Sequence, residues 1–535
     1  MHPLRRFRPP RAGLPPTRLL ILAAVLLAFG LLGIALLRSR PARSIPSPPP
    51  SRAPARSSVP PLPSPPESDE TPSEEEMPAW RKKNLGEVTR LHERDQAEAR
   101  RNTDLFVRRG LRADRKRRQV WIYAEATALD PRAELEFFLI PEQSGHDYEA
   151  LAVSFAQPSD IHEALVFIGL APGRPIAPRQ HAYWPKGERV HMLFQWTPPS
   201  IAGEPVGPLE VHAEQLLFDT VLRRTLPVRG FVFTGSRFVP HPQDPARLVY
   251  AADLFGPNSI ASAYNDPETV LDVPHQAGKS AMYGRQFANA DFRFERGQFL
   301  TILLEPEYPP ERRRVRDLTM RVGPSARPDV PPALSFESPE GKPLLTDAGP
   351  EAARTFLKTV AESGQDAFVR FLPDPQLSLD QVRLVCAWLD LMEQAGLLRV
   401  EPPPTGHPYY RAFLPEERFR DRRNWIVKPR ELRLSPAESA PEALRAQLTL
   451  LTEEWEEGRE EPTLSVTEEP IESPDALGKR LVQLSRDSSV MLIMAPAFLR
   501  LGDLLPFLAV AEPTHPILWV FLDPPASNSL PEVLP

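Results

Sequence analysis

Residues Leu19–Leu37 read LLILAAVLLAFGLLGIALL, nineteen residues without a charge or a strong polar group. At 1.5 Å per residue a helix of that length spans about 28 Å, close to the ~30 Å hydrocarbon core of a bilayer. A cleaved signal peptide has an apolar region of only ~7–15 residues closed by a small-x-small site. Here the run ends in Arg38-Ser39-Arg40-Pro41, so it reads as an uncleaved single-pass anchor whose partner is the lipid bilayer. Arg5, Arg6, Arg8, Arg11 and Arg18 precede it, and Arg38, Arg40, Arg43, Arg52 and Arg56 follow it. That near balance leaves the positive-inside rule almost neutral. The short tail 1–18 and the long folded remainder favour a C-terminal region outside the cytoplasm. The expected localisation is a membrane of the cell envelope.

The remainder is too long for one core. It holds most of 67 prolines in 535 residues, well above the usual ~5% share. Residues 38–78 contain thirteen prolines and nine serines and almost nothing to bury, which predicts a disordered linker with polyproline II character. Residues 79–104 predict a charged helix with a narrow apolar seam at Leu85, Val88 and Leu91. Fourteen Lys or Arg face six Asp or Glu between Trp80 and Arg118. Phe106 alone interleaves with them, where a stacking surface for nucleic acid would need several aromatic residues, so a solvated helix is expected and no nucleic-acid partner. The net charge of −6 singles out no partner, and the lone Cys386 excludes an internal disulfide and a thiolate metal site.

From 105 to 310 the pattern changes to short strands: Val120–Ala124, Leu135–Ile140, Ala150–Phe155, Val190–Trp196, Phe231–Phe233 and Gln298–Leu304. A short helix is expected over Ser159–Gly169, with Ser159 as its N-cap. The expected class is α+β, with a mostly antiparallel, β-rich middle domain. The runs Gly145-His146-Asp147-Tyr148-Glu149-Ala150-Leu151, Pro158-Ser159-Asp160-Ile161-His162 and Gly169-Leu170-Ala171-Pro172-Gly173 occur here in order. Phe233-Thr234-Gly235-Ser236 and Asp266-Pro267-Glu268-Thr269 follow them. This region resembles the YdjY-like family, a domain of unknown function, except that Asp147 and Tyr148 separate a His and a Glu that the family keeps adjacent. The resemblance implies a name and no mechanism. His146, Asp147, Glu149 and His162 form the densest set of metal-ligand or acid–base side chains, but no HExxH spacing exists, and polar groups bonded to the loop backbone are the plainer reading. Ala277-Gly278-Lys279-Ser280 has the ending of a phosphate loop without its first glycine, whose place Val273 takes.

The last 200 residues read as an internal duplication of a βαβαβ unit, over 325–403 and 462–525, with a connecting segment 404–461 and a tail 526–535. In the first copy Leu334–Glu337 is a strand and Glu351–Glu362 a helix. A second helix over Leu379–Gln394 carries a Ser378/Gln381 capping box. The second copy starts at Leu464 and places Pro506 inside its last helix. The pattern is similar to the periplasmic module of the ExbD family of biopolymer-transport proteins. That family uses an ionisable residue in its membrane helix, and Leu19–Leu37 has none, so the resemblance implies a docking module without energy coupling. Between the copies, Tyr409, Tyr410 and Arg411 are candidate binding residues, followed by Trp425; a strand and turn closing the first module is the plainer reading.

These observations lead to an envelope protein that binds or scaffolds a protein partner, with no cofactor expected and no catalytic residue assigned. A metal-binding or enzymatic YdjY-like domain and an accessory subunit of an ExbD-type complex stand as alternatives.

Overall fold

Helix α1, Ala79–Ala99, begins directly after Pro78, in a computed structural model of the chain. The structure describes residues 77–523 apart from 131, 199–206, 255–258, 310, 311, 313, 325–330, 417, 418, 420–428, 438, 439, 455–462 and 485–487. Asn84, Val88, Leu91 and Asp95 are its buried residues, a stripe at the three- and four-residue spacing of one helix face. Two of the four are polar, and each is satisfied. Asn84 Nδ2 donates to Glu125 Oε2 at 2.9 Å and to the Gly297 carbonyl at 2.8 Å. Asp95 accepts from the Tyr123 hydroxyl at 2.9 Å and pairs with Arg112 at 3.2 Å. The helix is therefore fixed by buried hydrogen bonds as well as by its thin apolar seam.

Beyond it come strands β1 (Leu105–Arg108), β2 (Leu111–Asp114), β3 (Gln119–Ala126), β4 (Phe137–Pro141) and β5 (Ala150–Ser154). Helix α2 (Pro158–Phe167) leads to β6 (Arg189–Trp196), β7 (Leu209–His212), β8 (Leu217–Asp219), β9 (Arg224–Thr225) and β10 (Phe231–Phe233). Then follow β11 (Phe238–Pro240), β12 (Leu248–Tyr250), the short helix α3 (Ala251–Leu254), β13 (Ala261–Ser262), β14 (Leu271–Asp272), the short helix α4 (Lys279–Met282), β15 (Gln286–Ala288) and β16 (Phe299–Pro306).

Eight of these strands close into a barrel in the order β3-β16-β6-β10-β14-β13-β4-β5, with β5 returning to β3. One edge of β3 serves two partners. Its first half pairs with β2, as Ile122 with Leu111, and its second half pairs with β5, as Ala124 with Ser154. Closure, with β2 against β3 and β7 against β6, leaves those eight strands without a long free edge. Val120, Ile122, Phe137, Leu139, Phe194, Phe233, Leu300 and Ile302 belong to its buried core. The mostly antiparallel, β-rich α+β domain expected from the sequence is thus corrected to a closed barrel, with parallel pairs at β4–β5 and β13–β14. Helix α2 packs Ile161, Ala164 and Leu165 on it. Its N-cap is Gln157 and not Ser159; the Ser159 amide instead donates to Asp253 Oδ1 of α3 at 3.0 Å.

The C-terminal half contains two sheets of identical topology. The first comprises β17 (Val315–Gly323), β18 (Ala333–Glu337), β19 (Pro343–Ala348), α5 (Pro350–Glu362), β20 (Asp366–Pro373), α6 (Leu379–Gln394) and β21 (Arg399–Val400). The second comprises β22 (Arg430–Ala437), β23 (Ala440–Glu454), β24 (Thr463–Ile471), α7 (Pro474–Gln483), β25 (Val490–Pro496), α8 (Leu501–Ala511) and β26 (Ile517–Asp523). Their strand orders are β19-β18-β17-β20-β21 and β24-β23-β22-β25-β26. Each copy is therefore βββαβαβ, which corrects the expected βαβαβ. The central strand of each sheet, β17 or β22, lies upstream of where the shorter pattern began, and it pairs in parallel with β20 or β25. One apolar core spans both copies and includes Leu357, Leu389, Leu432, Leu477, Leu504 and Leu508. Backbone bonds cross between them, Leu379 N to Leu499 O and Leu501 N to Leu377 O, both 2.8 Å. Cys386 is fully buried in this core, and burial pushes its thiol up.

The barrel meets the first copy through a buried ion cluster. Asp366 pairs with Arg399 at 2.9 Å, Arg189 at 3.0 Å and Arg314 at 3.1 Å. Burial alone would raise the Asp366 carboxyl, but the three guanidiniums, Arg399 first, hold it well below the usual range. Burial pulls Arg189 down to about 10, with Asp366 opposing. Lys186 bridges to Glu401 at 2.7 Å, and Arg174 to the same carboxyl at 2.8 Å.

Among the described residues no helix is long and apolar enough to cross a membrane, and the expected transmembrane segment is not among those residues. The segment Leu19–Leu37, nearly all of the proline-rich stretch 38–78, Trp425 and the tail 526–535 lie outside the described residues.

Candidate functional site

The sequence places His146, Asp147, Glu149 and His162 within seventeen residues, but the barrel separates them. Residues 142–149 carry the chain back between the parallel strands β4 and β5. Their last turn, Asp147–Glu149, sets His146 Nδ1 2.6 Å from Glu149 Oε1. Asp147 points elsewhere, toward Arg296 at 3.5 Å. Strand β5 then spans on the order of 17 Å before His162 appears on α2. There the His162 ring packs edge-on against Phe233 and Tyr250. Its Nδ1 lies 3.0 Å from the Tyr250 hydroxyl and 3.2 Å from the Gly235 carbonyl. Burial lowers the His162 pKa. Among the described residues no group of three His, Cys, Asp or Glu side chains is arranged to hold a metal ion.

Tyr410 and Arg411 are committed to structure. Both bind Glu393, a carboxyl on α6 that is only 5% exposed. The Tyr410 hydroxyl donates to its Oε2 at 2.8 Å, as does Arg411 Nη2 at 2.8 Å, while Trp184 Nε1 reaches Oε1 at 2.9 Å. A buried carboxyl left unpaired would be costly, and these donors remove that penalty. Tyr409 is different. Its ring stacks on His181 at 5.3 Å and lines a cavity of about 110 Å³ with Tyr183, Arg411 and Trp519. Its buried hydroxyl has no hydrogen-bond partner among the described residues.

A cleft that the sequence did not reveal lies at one end of the barrel wall. The chain enters β10 and leaves β14 at this same end, because the two strands are antiparallel, Val232 opposite Asp272. The side sheet β15-β8-β9 forms the facing wall. The space between is about 220 Å³. Arg224, Arg229 and Arg285 line it. Arg285 Nε pairs with Asp219 Oδ2 at 2.7 Å. The other oxygen of Asp219 accepts the amides of Val221 and Leu222 at 2.9 and 2.8 Å, closing the β8–β9 turn. Arg224 and Arg229 are exposed and make no ion pair among the described residues.

The inner side of the cleft is polar as well. Glu214 sits in the turn Ala213–Leu216, and its Oε1 accepts the amides of Arg229 and Gly230 at 3.1 and 2.8 Å. Its Oε2 is buried without a partner, and so is Gln286 Oε1. His275 also lines the cleft. Its pKa is lowered, first by burial and then by the nearby charges of Arg229, Arg189 and Arg285. Ala277 and Gly278 of the incomplete phosphate-loop motif lie on the same wall. Lys279 turns away to pair with Glu136 at 2.6 Å, and the helix that follows has only four residues. The motif therefore builds no phosphate loop.

No protein-family profile matches this chain, and no curated protein matches it. Three solved chains match in shape. One is the crystal structure of the native protease–reverse transcriptase of prototype foamy virus, at 10% identity over 39% of this chain and 36% of that one, with a TM-score of 0.11. A likeness that low carries no argument about the fold. The similarities to the YdjY-like and ExbD families rest on the sequence motifs alone.

Proposed function

We propose that this chain is a binding protein, and that the cleft at the barrel end receives a small anion. The carrying observation is that three arginines line one concavity while, among the described residues, only one of them has a carboxyl partner, Asp219. Unpaired guanidiniums in a concave site offer planar, charge-assisted donors to a carboxylate or phosphate. The backbone that carries them is fixed by the closed barrel and by the Asp219 and Glu214 turns. The tandem modules, locked to the barrel through Asp366, fit a rigid docking body for a protein partner.

The test is calorimetric titration of the full-length protein with inorganic phosphate and with acetate. Saturable binding is expected, weakening as salt rises. It should weaken by about tenfold or more in Arg229→Gln, the loss of one charge-assisted bond. Absence of saturable binding by either anion, or wild-type affinity in both Arg229→Gln and Arg224→Gln, would overturn the assignment.

A further inference from the structure

Resting on that reading, we infer that the ligand of the barrel cleft carries a hydrogen-bond donor beside its single anionic group: a small hydroxy acid of the sugar-acid type. The arginines account only for the anion. Two further atoms in the same wall are unexplained by it, Glu214 Oε2 and Gln286 Oε1, both buried and both without a protein partner. Each belongs to a residue only 5% exposed. A buried acceptor without a donor is destabilising and rare in a native protein, so a pair of them on one cleft calls for an explanation. Both are acceptors. A bare anion would be repelled by them; neither oxygen is accessible as it stands, so a ligand hydroxyl would satisfy them through a turn of the Glu214 or Gln286 side chain toward the cleft that both residues line.

The charge count supports one anionic group. Arg224, Arg229 and Arg285 give three positive charges against the carboxyls of Glu214 and Asp219, a net of one positive. A ligand with two or three negative charges would be left under-compensated. Size points the same way. A space of about 220 Å³ is below the ~300–1,000 Å³ of pockets for drug-sized ligands, which suits a small acid and leaves out a nucleotide. Geometry separates the two functions. Arg224 and Arg229 are exposed at the mouth and Glu214 and Gln286 are buried, so the ligand would enter hydroxyl end first.

Glu214→Gln is the informative substitution. Glutamine keeps one oxygen for the amides of Arg229 and Gly230, so the turn is preserved, and it replaces the unpartnered acceptor by a donor. The full-length protein is titrated with gluconate, with hexanoate of the same carbon number but no hydroxyl, and with 6-aminohexanoate. The expected result is gluconate binding at least tenfold tighter than hexanoate. In Glu214→Gln gluconate should weaken by about tenfold while hexanoate binds as well or better, because a negative charge has been removed. Gln286→Met gives the same comparison if the first variant does not fold. Equal affinity for gluconate and hexanoate would overturn this inference and leave the anion cleft standing. Preference for 6-aminohexanoate over gluconate would overturn the hydroxy-acid assignment in favour of an amine donor. Failure of all three acids, with phosphate also unbound, would remove the cleft itself.

Discussion

The barrel and the tandem sheets bury their strands in opposite ways. The barrel closes on itself: β3 uses one edge for both β2 and β5, and the two hairpin strands β2 and β7 cover what the eight-strand ring leaves open on β3 and β6. The tandem sheets stay open and pool their helices, so that one core runs from Leu357 on α5 to Leu508 on α8. The difference decides where binding chemistry can sit. In the tandem half Tyr410 and Arg411 are occupied in docking on Glu393, and Tyr409, whose hydroxyl has no partner among the described residues, lines a space of only about 110 Å³. At the barrel end the strands are already satisfied, and the connecting segments are left free to gather Arg224, Arg229 and Arg285 around an empty space.

The sharpest way to break that contrast is at the joint. Asp366→Ala removes the carboxyl shared by Arg189, Arg314 and Arg399, and Arg189 is 4% exposed. Removing one partner of a buried ion pair destabilises by about 3–5 kcal/mol. The expected result in urea is the splitting of one transition into two, barrel and tandem half separately. A single transition shifted by less than about 1 kcal/mol, no more than an exposed pair contributes, would show that the joint is not what couples them.

A core substitution tests whether the two sheets stand or fall together. Leu504 is fully buried in the shared cluster, and Leu504→Ala should cost about 2–5 kcal/mol. Hydrogen exchange should then speed up in β17 and β20 as well as in β22 and β25, with β3 and β16 unchanged. If only the second sheet loosens, each copy has a core of its own.

A smaller effect probes how firmly α1 belongs to the barrel. Gly297 has φ +73°, and a Cβ there would lie 2.2 Å from the Trp80 ring. Gly297→Ala meets the left-handed backbone penalty of about 1–2 kcal/mol, and Trp80 must also move. The readout is proteolysis within α1, which should accelerate relative to cleavage in the barrel. An unchanged rate would mean that the Asn84 and Asp95 hydrogen bonds hold the helix without Trp80.

How much of this was legible depends on whether the information is local. The capping box at Ser378 and Gln381 is present with both of its bonds, at 3.3 and 3.1 Å, because a cap is written within four residues. The duplication was readable for the same reason, through two helices at matching spacing. Strand β17 carries the alternation of a half-buried strand, Leu318, Met320 and Val322 against Asp317, Thr319 and Arg321; its central place is not local information, because it is set by parallel pairing with the distant β20. Closure of the barrel was invisible because β13 and β14 have two residues each and the β3–β5 pairing joins distant segments. The same applies to the site. His146 and His162 are near in sequence and are parted by β5, while Arg224, Arg229 and Arg285 are spread along the chain and come together only through the β10–β14 and β8–β15 pairings.

The smallest expected effect links the cleft to pH. His275 has a lowered pKa in the folded protein, against an ordinary value near 6.5 when unfolded. As pH falls through 6.5 the unfolded chain takes up a proton that the folded chain does not, so stability falls with pH until the lowered folded value is reached. His162 and His181, also lowered by burial, act in the same direction. Asp266 and Asp272 act oppositely at lower pH, because burial raises them and the folded state holds their protons more tightly. The total curve therefore mixes signs, and the difference between wild type and His275→Gln isolates one group. The variant should show a shallower loss of stability below pH 6.5 and no change above it. Anion binding gives the second readout. Once protonated, His275 adds a positive charge to a cleft already holding Arg229 and Arg285, so affinity for acetate should rise as pH falls in the wild type, beyond any rise in His275→Gln. Equal pH profiles for the two proteins would place His275 outside the field of the bound anion, and would leave the arginines alone responsible for the contrast between the barrel end and the tandem half.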